Sequence, residues 1–148
     1  MRKEYRFFGW ENADSKGGSE RYPGIVEPLG LYDGLEEAWS VETCAPRLRG
    51  EWSEKNKTAG QCSITAFLAQ DIFGGEVFGI DLPGGGVHCY NVVGDRVFDL
   101  ASEQFGDVVL DYSTGKKQSR EKHFSDRDKY ERYLLLCDRL EKYCKGRK

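Results

Sequence analysis

No stretch of this 148-residue chain approaches the roughly 18 to 20 consecutive apolar residues that a bilayer-crossing helix needs. The opening residues, Met-Arg-Lys-Glu-Tyr-Arg-Phe-Phe-Gly-Trp, lack the apolar centre of about 7 to 15 residues that a secretory signal carries. A cytoplasmic protein with no membrane partner is therefore expected. The five cysteines (44, 62, 89, 137 and 144) are odd in number and none stands in CxxC spacing, which argues against a disulfide framework or a zinc ribbon and for reduced thiols. The glycine run Gly84-Gly-Gly86 belongs to no GxxxxGK[ST] pattern, so it reads as a hairpin connection rather than a phosphate loop. No cofactor is implied. A metal site from Cys62, His88 and Cys89 is not expected, because adjacent strand residues face opposite ways.

Charge is uneven although the net value is only −3: residues 116–148 hold 12 Lys/Arg against 6 Asp/Glu. No aromatic residues interleave with the basic ones in the manner of a nucleic-acid surface, so this region reads as a solvated helix face with a basic tail, and no nucleic-acid partner is expected.

What the chain does contain is enough apolar surface for one domain: 39 % hydrophobic and 13 % aromatic residues exclude wholesale disorder. Residues 1–32 resist reading. Tyr5 to Trp10 suit a strand, but Asp14-Ser-Lys-Gly-Gly-Ser19, Pro23-Gly24 and Pro28 interrupt the chain beyond it, which suggests a loosely held arm ahead of a single domain over residues 33–148. From Asp33 a short helix is expected, with Leu35, Ala38 and Trp39 on its buried side and its end before Pro46. Residues 46–60 read as a loop. Trp52 within it is a candidate wall of a substrate pocket.

The centre of the chain is Thr58-Ala-Gly-Gln-Cys62 and the segment after it. Ile64, Phe67, Leu68 and Ile72 recur at helical spacing until Gly74-Gly75 stops the helix, which puts Cys62 in its first turn. There the backbone N–H groups have no intrahelical partner and the helix dipole favours negative charge, so the thiol is biased toward the nucleophilic thiolate. Those N–H groups, with the Gln61 amide, are candidates for stabilising an oxyanion.

Strands are expected at Glu76–Asp81, Val87–Val93 and Arg96–Leu100, the last two joined by the two-residue loop Gly94-Asp95. That loop pairs Val93 with Arg96, sets Tyr90 opposite Asp99 and His88 opposite Ala101, and so projects His88 and Asp99 from one face as diagonal neighbours about 7 to 8 Å apart at the backbone. Aspartate is depleted in strands, and a structural cap of the Ser102-Glu-Gln turn would also explain Asp99. Together with a helix-start cysteine the pair has a chemical sense: Cys62 as nucleophile, His88 as its base, Asp99 fixing the imidazole tautomer. Asn91 is a further candidate for the pocket. Between Ser125 and Tyr143, Tyr130, Tyr133, Leu134, Cys137 and Leu140 form the apolar stripe of a C-terminal amphipathic helix, capped by Ser125 or Asp126 and laid on the sheet.

Gly60-Gln-Cys62, Gly74-Gly-Glu76, His88 with Asn91, and Asp99-Leu100 followed by Gln104-Phe105 resemble the YunG-like family of small bacterial proteins over about residues 35–140. The chain departs from that pattern at Cys89 and Ala101. The resemblance implies a fold and a site rather than a reaction. Separately, the order helix-borne Cys, strand-borne His, next-strand Asp is similar to the core of transglutaminase-like and arylamine-acetyltransferase-like proteins, distant relatives of papain. The expected fold is therefore α+β with a papain-like or transglutaminase-like core: a Cys-bearing helix on a small antiparallel sheet, followed by the C-terminal helix. The function expected is cysteine-dependent acyl transfer or amide hydrolysis. The alternative is a non-catalytic binding or assembly module that keeps the scaffold for a peptide or small-molecule ligand.

Overall fold

The computed structural model describes residues 5–106 and 108–146. Residues 1–4 at the start of the expected arm, residue 107, and residues 147–148 at the end of the basic tail lie outside the described residues.

Helix α2 (Cys62–Phe73) is buried on most of its circumference, with Ile64, Thr65, Ala66, Phe67, Leu68, Ala69, Ile72 and Phe73 all inside. A helix apolar nearly all round must be covered on more than one side. One side is a four-stranded antiparallel sheet of order β3-β2-β1-β4, made of β1 (Glu76–Asp81), β2 (Val87–Val93), β3 (Arg96–Phe98) and β4 (Lys116–Lys117). The other side is helical. Helix α4 (Arg127–Gly146) packs against both α2 and α1 (Pro28–Ala38), and the short α3 (Arg120–Phe124) closes the gap. The expectation that the C-terminal helix lies on the sheet is corrected: its stripe of Tyr133, Leu136, Cys137, Leu140 and Cys144 is buried against helices. Asp126 is its cap, accepting from the Lys129 N–H at 3.1 Å.

Glycine stops α2 as the sequence suggests, at Gly74 with φ 78°. The hairpin register is the one that the Gly94-Asp95 loop dictates, with Val93 opposite Arg96 and Asn91 opposite Phe98. Strand β3 ends at Phe98, two residues short of expectation. Asp99 leaves the ladder and instead bridges Phe8, donating its N–H to the Phe8 carbonyl at 2.9 Å, while Ser102 Oγ accepts from the Phe8 N–H at 2.8 Å.

That bridge bears on the N-terminal segment, which is not loosely held over its described part. Phe7, Ala13, Tyr22 and Ile25 are buried in the same core as α1 and α2. Tyr5–Trp10 forms no strand beyond the single bridge, because the chain leaves the extended conformation at Gly9 (φ 86°), where only a glycine fits against the Val97 carbonyl. Helix α1 begins five residues earlier than the Asp33 start, since Pro28, which looked like punctuation, occupies its first turn with φ already suited to a helix. It ends at Ala38, and Trp39 turns inward to donate its indole N–H to Thr65 Oγ1 at 2.9 Å.

Candidate functional site

Val77, Cys89, Asn91 and Phe98 share the sheet face turned to α2, and Asn91 ties the layers by donating to the Ala66 carbonyl at 2.8 Å. His88 and Tyr90 lie on the other face, roofed by the turns over residues 102–114: the Phe105 ring meets His88 edge-on at 4.7 Å and Tyr112 meets Tyr90 at 4.8 Å. Cys62, at the first position of α2, is half-buried at the rim of the helix–sheet contact, its sulfur 3.7 Å from the Val87 carbonyl. It lines a cavity together with His88, and the Ser63 hydroxyl lies 3.8 Å from its sulfur and 3.5 Å from that of Cys89.

His88 and Asp99 meet. His88 Nε2 lies 2.6 Å from Asp99 Oδ2, and the two residues are 1 % and 0 % exposed. Since Nε2 is taken by the carboxylate, Nδ1 is the ring nitrogen left for Cys62. Asp99 is fully engaged: Tyr112 donates its hydroxyl to the same Oδ2 at 2.6 Å, and the Ala101 N–H donates to Oδ1 at 3.2 Å. The carboxylate meets His88 and holds the Ala101 N–H, but the Ser102–Phe105 turn that it was expected to cap starts from Ala101 with no side-chain cap.

The electrostatics derive from this packing. Burial works against the protonated His88 ring, but hydrogen bonds and charge from Asp99 and Cys62 outweigh it and push the imidazole up to about 10. The Cys62 thiol is held well below its ordinary value, most by the hydrogen bond from Cys89, with burial opposing and His88 adding both a hydrogen bond and a positive charge. Cys89 moves the opposite way, raised by its hydrogen bond to Cys62 and by burial. The two shifts favour a Cys62 thiolate beside a His88 imidazolium.

Three residues expected at the pocket are not in it. Gln61 is 0 % exposed, and its amide donates to the Ser40 carbonyl at 3.0 Å, so it is committed to the loop before α2 instead of a substrate oxygen. Trp52 donates to the Lys57 carbonyl at 3.0 Å inside the 46–60 region, much of which is a 3-10 helix over Pro46–Glu51. Asn91 faces α2. Short polar loops give no pattern from which these placements could be read.

The sequence reading also missed residues that are present. Tyr112 lies in a turn that obeys no periodicity, and only its capacity to donate to a buried carboxylate could have pointed to it. His123, expected in a charged loop, lies in α3, half-buried, its ring tilted against that of Phe67 at 5.2 Å and bonded to Gln118 and Lys129. A cavity of about 610 Å³ opens beside Cys62 and His88, with Arg47, Phe105, Lys129 and Arg132 among its walls. A larger hollow of about 910 Å³, between Phe8, Trp10 and Tyr112, does not include Cys62 or His88. Among the described residues no three His, Cys, Asp or Glu side chains are grouped so as to hold a metal ion, and no helix is long and apolar enough to cross a membrane.

The model of the family described as YunG protein matches residues 27–145. The chain belongs to the YunG family. It is 31 % identical over 109 residues to the Bacillus subtilis (strain 168) protein named "Uncharacterized protein YunG", an overlap covering 74 % of this chain and 87 % of that protein. No solved structure matches. The YunG match begins just ahead of α1 and runs through α4, so it includes Cys62, His88 and Asp99 but not the segment that carries Phe8.

Proposed function

We propose that this YunG-family protein is a cysteine-dependent acyl transferase or amide hydrolase, with Cys62 as nucleophile, His88 as acid and base, and Asp99 holding the imidazole. The observation that carries the reading is a His88 ring joined at one nitrogen to a buried carboxylate at 2.6 Å, lining the same open cavity as Cys62. The thiolate attacks an acyl carbon, and the new oxyanion faces the Cys62 backbone N–H, which has no carbonyl partner within the helix. The imidazolium proton then passes to the leaving amine or alcohol, after which water or an acceptor, deprotonated by the neutral ring, releases the acyl group. The order helix-borne Cys, strand-borne His, next-strand Asp supports a papain-like or transglutaminase-like core by analogy alone.

The test is acylation by p-nitrophenyl acetate. The reading expects one acetyl group per chain, located on Cys62 by peptide mass spectrometry, and a large loss of rate in His88→Ala. Acetylation spread over surface lysines, unchanged in Cys62→Ser, would overturn it.

A second reading is favoured by one observation: His88 and Asp99 are almost wholly buried, as members of a structural network would be. In that case the protein is a binding or assembly module for a peptide or small molecule. Cys62→Ser and Asp99→Asn would then lower the melting temperature substantially, whereas catalytic groups are often neutral or costly to stability.

A further inference from the structure

We propose that Cys62 and Cys89 form a peroxide-oxidisable pair, in which Cys62 takes up the oxygen atom and Cys89 resolves it as a Cys62–Cys89 disulfide. The Ser63 hydroxyl touches both sulfurs, lying 3.8 Å from Cys62 Sγ and 3.5 Å from Cys89 Sγ, so one side chain bridges the two thiols. α2 packs on β2, so the first residue of the helix and the middle of the strand are brought together by the core of the fold, not by a mobile loop. The remaining three cysteines differ: Cys44 is 0 % exposed and its thiol donates to the Ala45 carbonyl, and Cys137 and Cys144, 0 % and 4 % exposed, are buried in the core.

The two thiols are unequal in a way that assigns their roles. Cys62 is half-exposed to the cavity and sits at a helix N-terminus beside His88, which favours the nucleophilic anion. Cys89 is 1 % exposed, and its burial raises the thiol, so it is out of reach of a bulky oxidant but linked to Cys62 through Ser63. In the first step the Cys62 thiolate attacks one oxygen of hydrogen peroxide. The S–O bond forms as the O–O bond breaks, the sulfur loses two electrons, and the hydroxide leaves as water with a proton from His88. In the second, Cys89 attacks the sulfenic sulfur: the S–S bond forms, the S–O bond breaks, and hydroxide departs as water with the Cys89 proton. A dithiol reductant returns both thiols. Oxidation removes the nucleophile on which the proposed acyl chemistry depends, but the disulfide itself does not require that chemistry.

The experiment treats the reduced full chain with a small excess of hydrogen peroxide, quenches with iodoacetamide and maps the cysteines by non-reducing peptide mass spectrometry. The expected result is the loss of two of the five thiols, recovered as one Cys62–Cys89 linked peptide and reversed by dithiothreitol. In Cys89→Ser, and in Cys89→Ala should serine fold poorly, dimedone should trap a sulfenic acid on Cys62. Sulfinic acid on Cys62 with Cys89 still alkylated in the wild type, or oxidation of Cys62 no faster than that of Cys44, would overturn the proposal. A protein inert to p-nitrophenyl acetate that still forms the disulfide would refute the acyl-transfer reading and leave this one standing.

Discussion

His88 and Tyr112 donate to the same oxygen of Asp99, each at 2.6 Å. Two donors converging on one buried carboxylate oxygen fix its position and, through it, the plane of the imidazole. Tyr112 is itself pinned, stacked on Phe8 at 3.9 Å and accepting the Tyr90 hydroxyl at its carbonyl. It is a positioning residue. Tyr112→Phe should lower stability by about 1–3 kcal/mol, read from the urea midpoint, because the hydrogen bond lost is to a charged group. It should slow acylation less than Asp99→Asn does.

Asp99→Asn keeps the shape and removes the charge. The imidazolium loses one of the two anions that hold its proton, so the acylation rate should fall by a factor on the order of 10² to 10⁴, the usual range for general acid–base help. Stopped-flow release of p-nitrophenolate measures it. A rate within a factor of two of wild type would show that Asp99 serves only to hold the Ala101 N–H and the local turn.

The sign of each shift sets the pH dependence. His88 is raised in the folded state to about 10 from an ordinary value near 6.5, so its stabilising contribution is complete below about pH 6.5 and is lost as pH rises through about 10. Cys62 is lowered, so its contribution is present above the ordinary thiol range and disappears as pH falls through its depressed value. NMR titration of the His88 ring should show an imidazolium persisting at pH 8. In Cys62→Ala its pKa should drop, since the hydrogen bond and the charge of the thiolate both go. An unaltered titration in that variant would mean that the two groups do not communicate.

Gly60 stands two residues before the nucleophile with φ 70°, and a Cβ there would meet Cys44 Sγ at 2.5 Å and the Ala45 nitrogen at 2.8 Å. Gly60→Ala should therefore cost about 1–3 kcal/mol through backbone strain and collision. Gly50→Ala, where nothing lies within 4 Å, provides the control. Thermal unfolding of the two variants compares them directly.

Periodicity made the helix that carries Cys62 readable, and the two-residue loop Gly94-Asp95 fixed the register that puts His88 and Asp99 within reach of one another. What escaped was non-local. Phe8 bridges Asp99, and Tyr112 reaches it from a turn, contacts between segments far apart in sequence that no pattern announces. Pro28 read as a break because its use at a helix start depends on what α1 packs against. Gln61 misled for a related reason: an amide beside a nucleophile suggests an oxyanion donor, but the Ser40 carbonyl, placed by the turn after α1, takes it first. Cys89 was set aside as a metal ligand by the alternation of strand faces, yet the Ser63 hydroxyl links it to Cys62 at the sheet rim.

The thiolate–imidazolium pair is tested most directly by the pH profile of iodoacetamide alkylation, read separately at each cysteine by mass spectrometry in wild type and His88→Ala. Near neutral pH Cys62 should label much faster than the other four thiols, its reactivity should persist well below the ordinary thiol pKa of about 8.5, and His88→Ala should abolish both. A Cys62 that labels at the same rate as the others, or whose advantage survives the loss of His88, would contradict the pair.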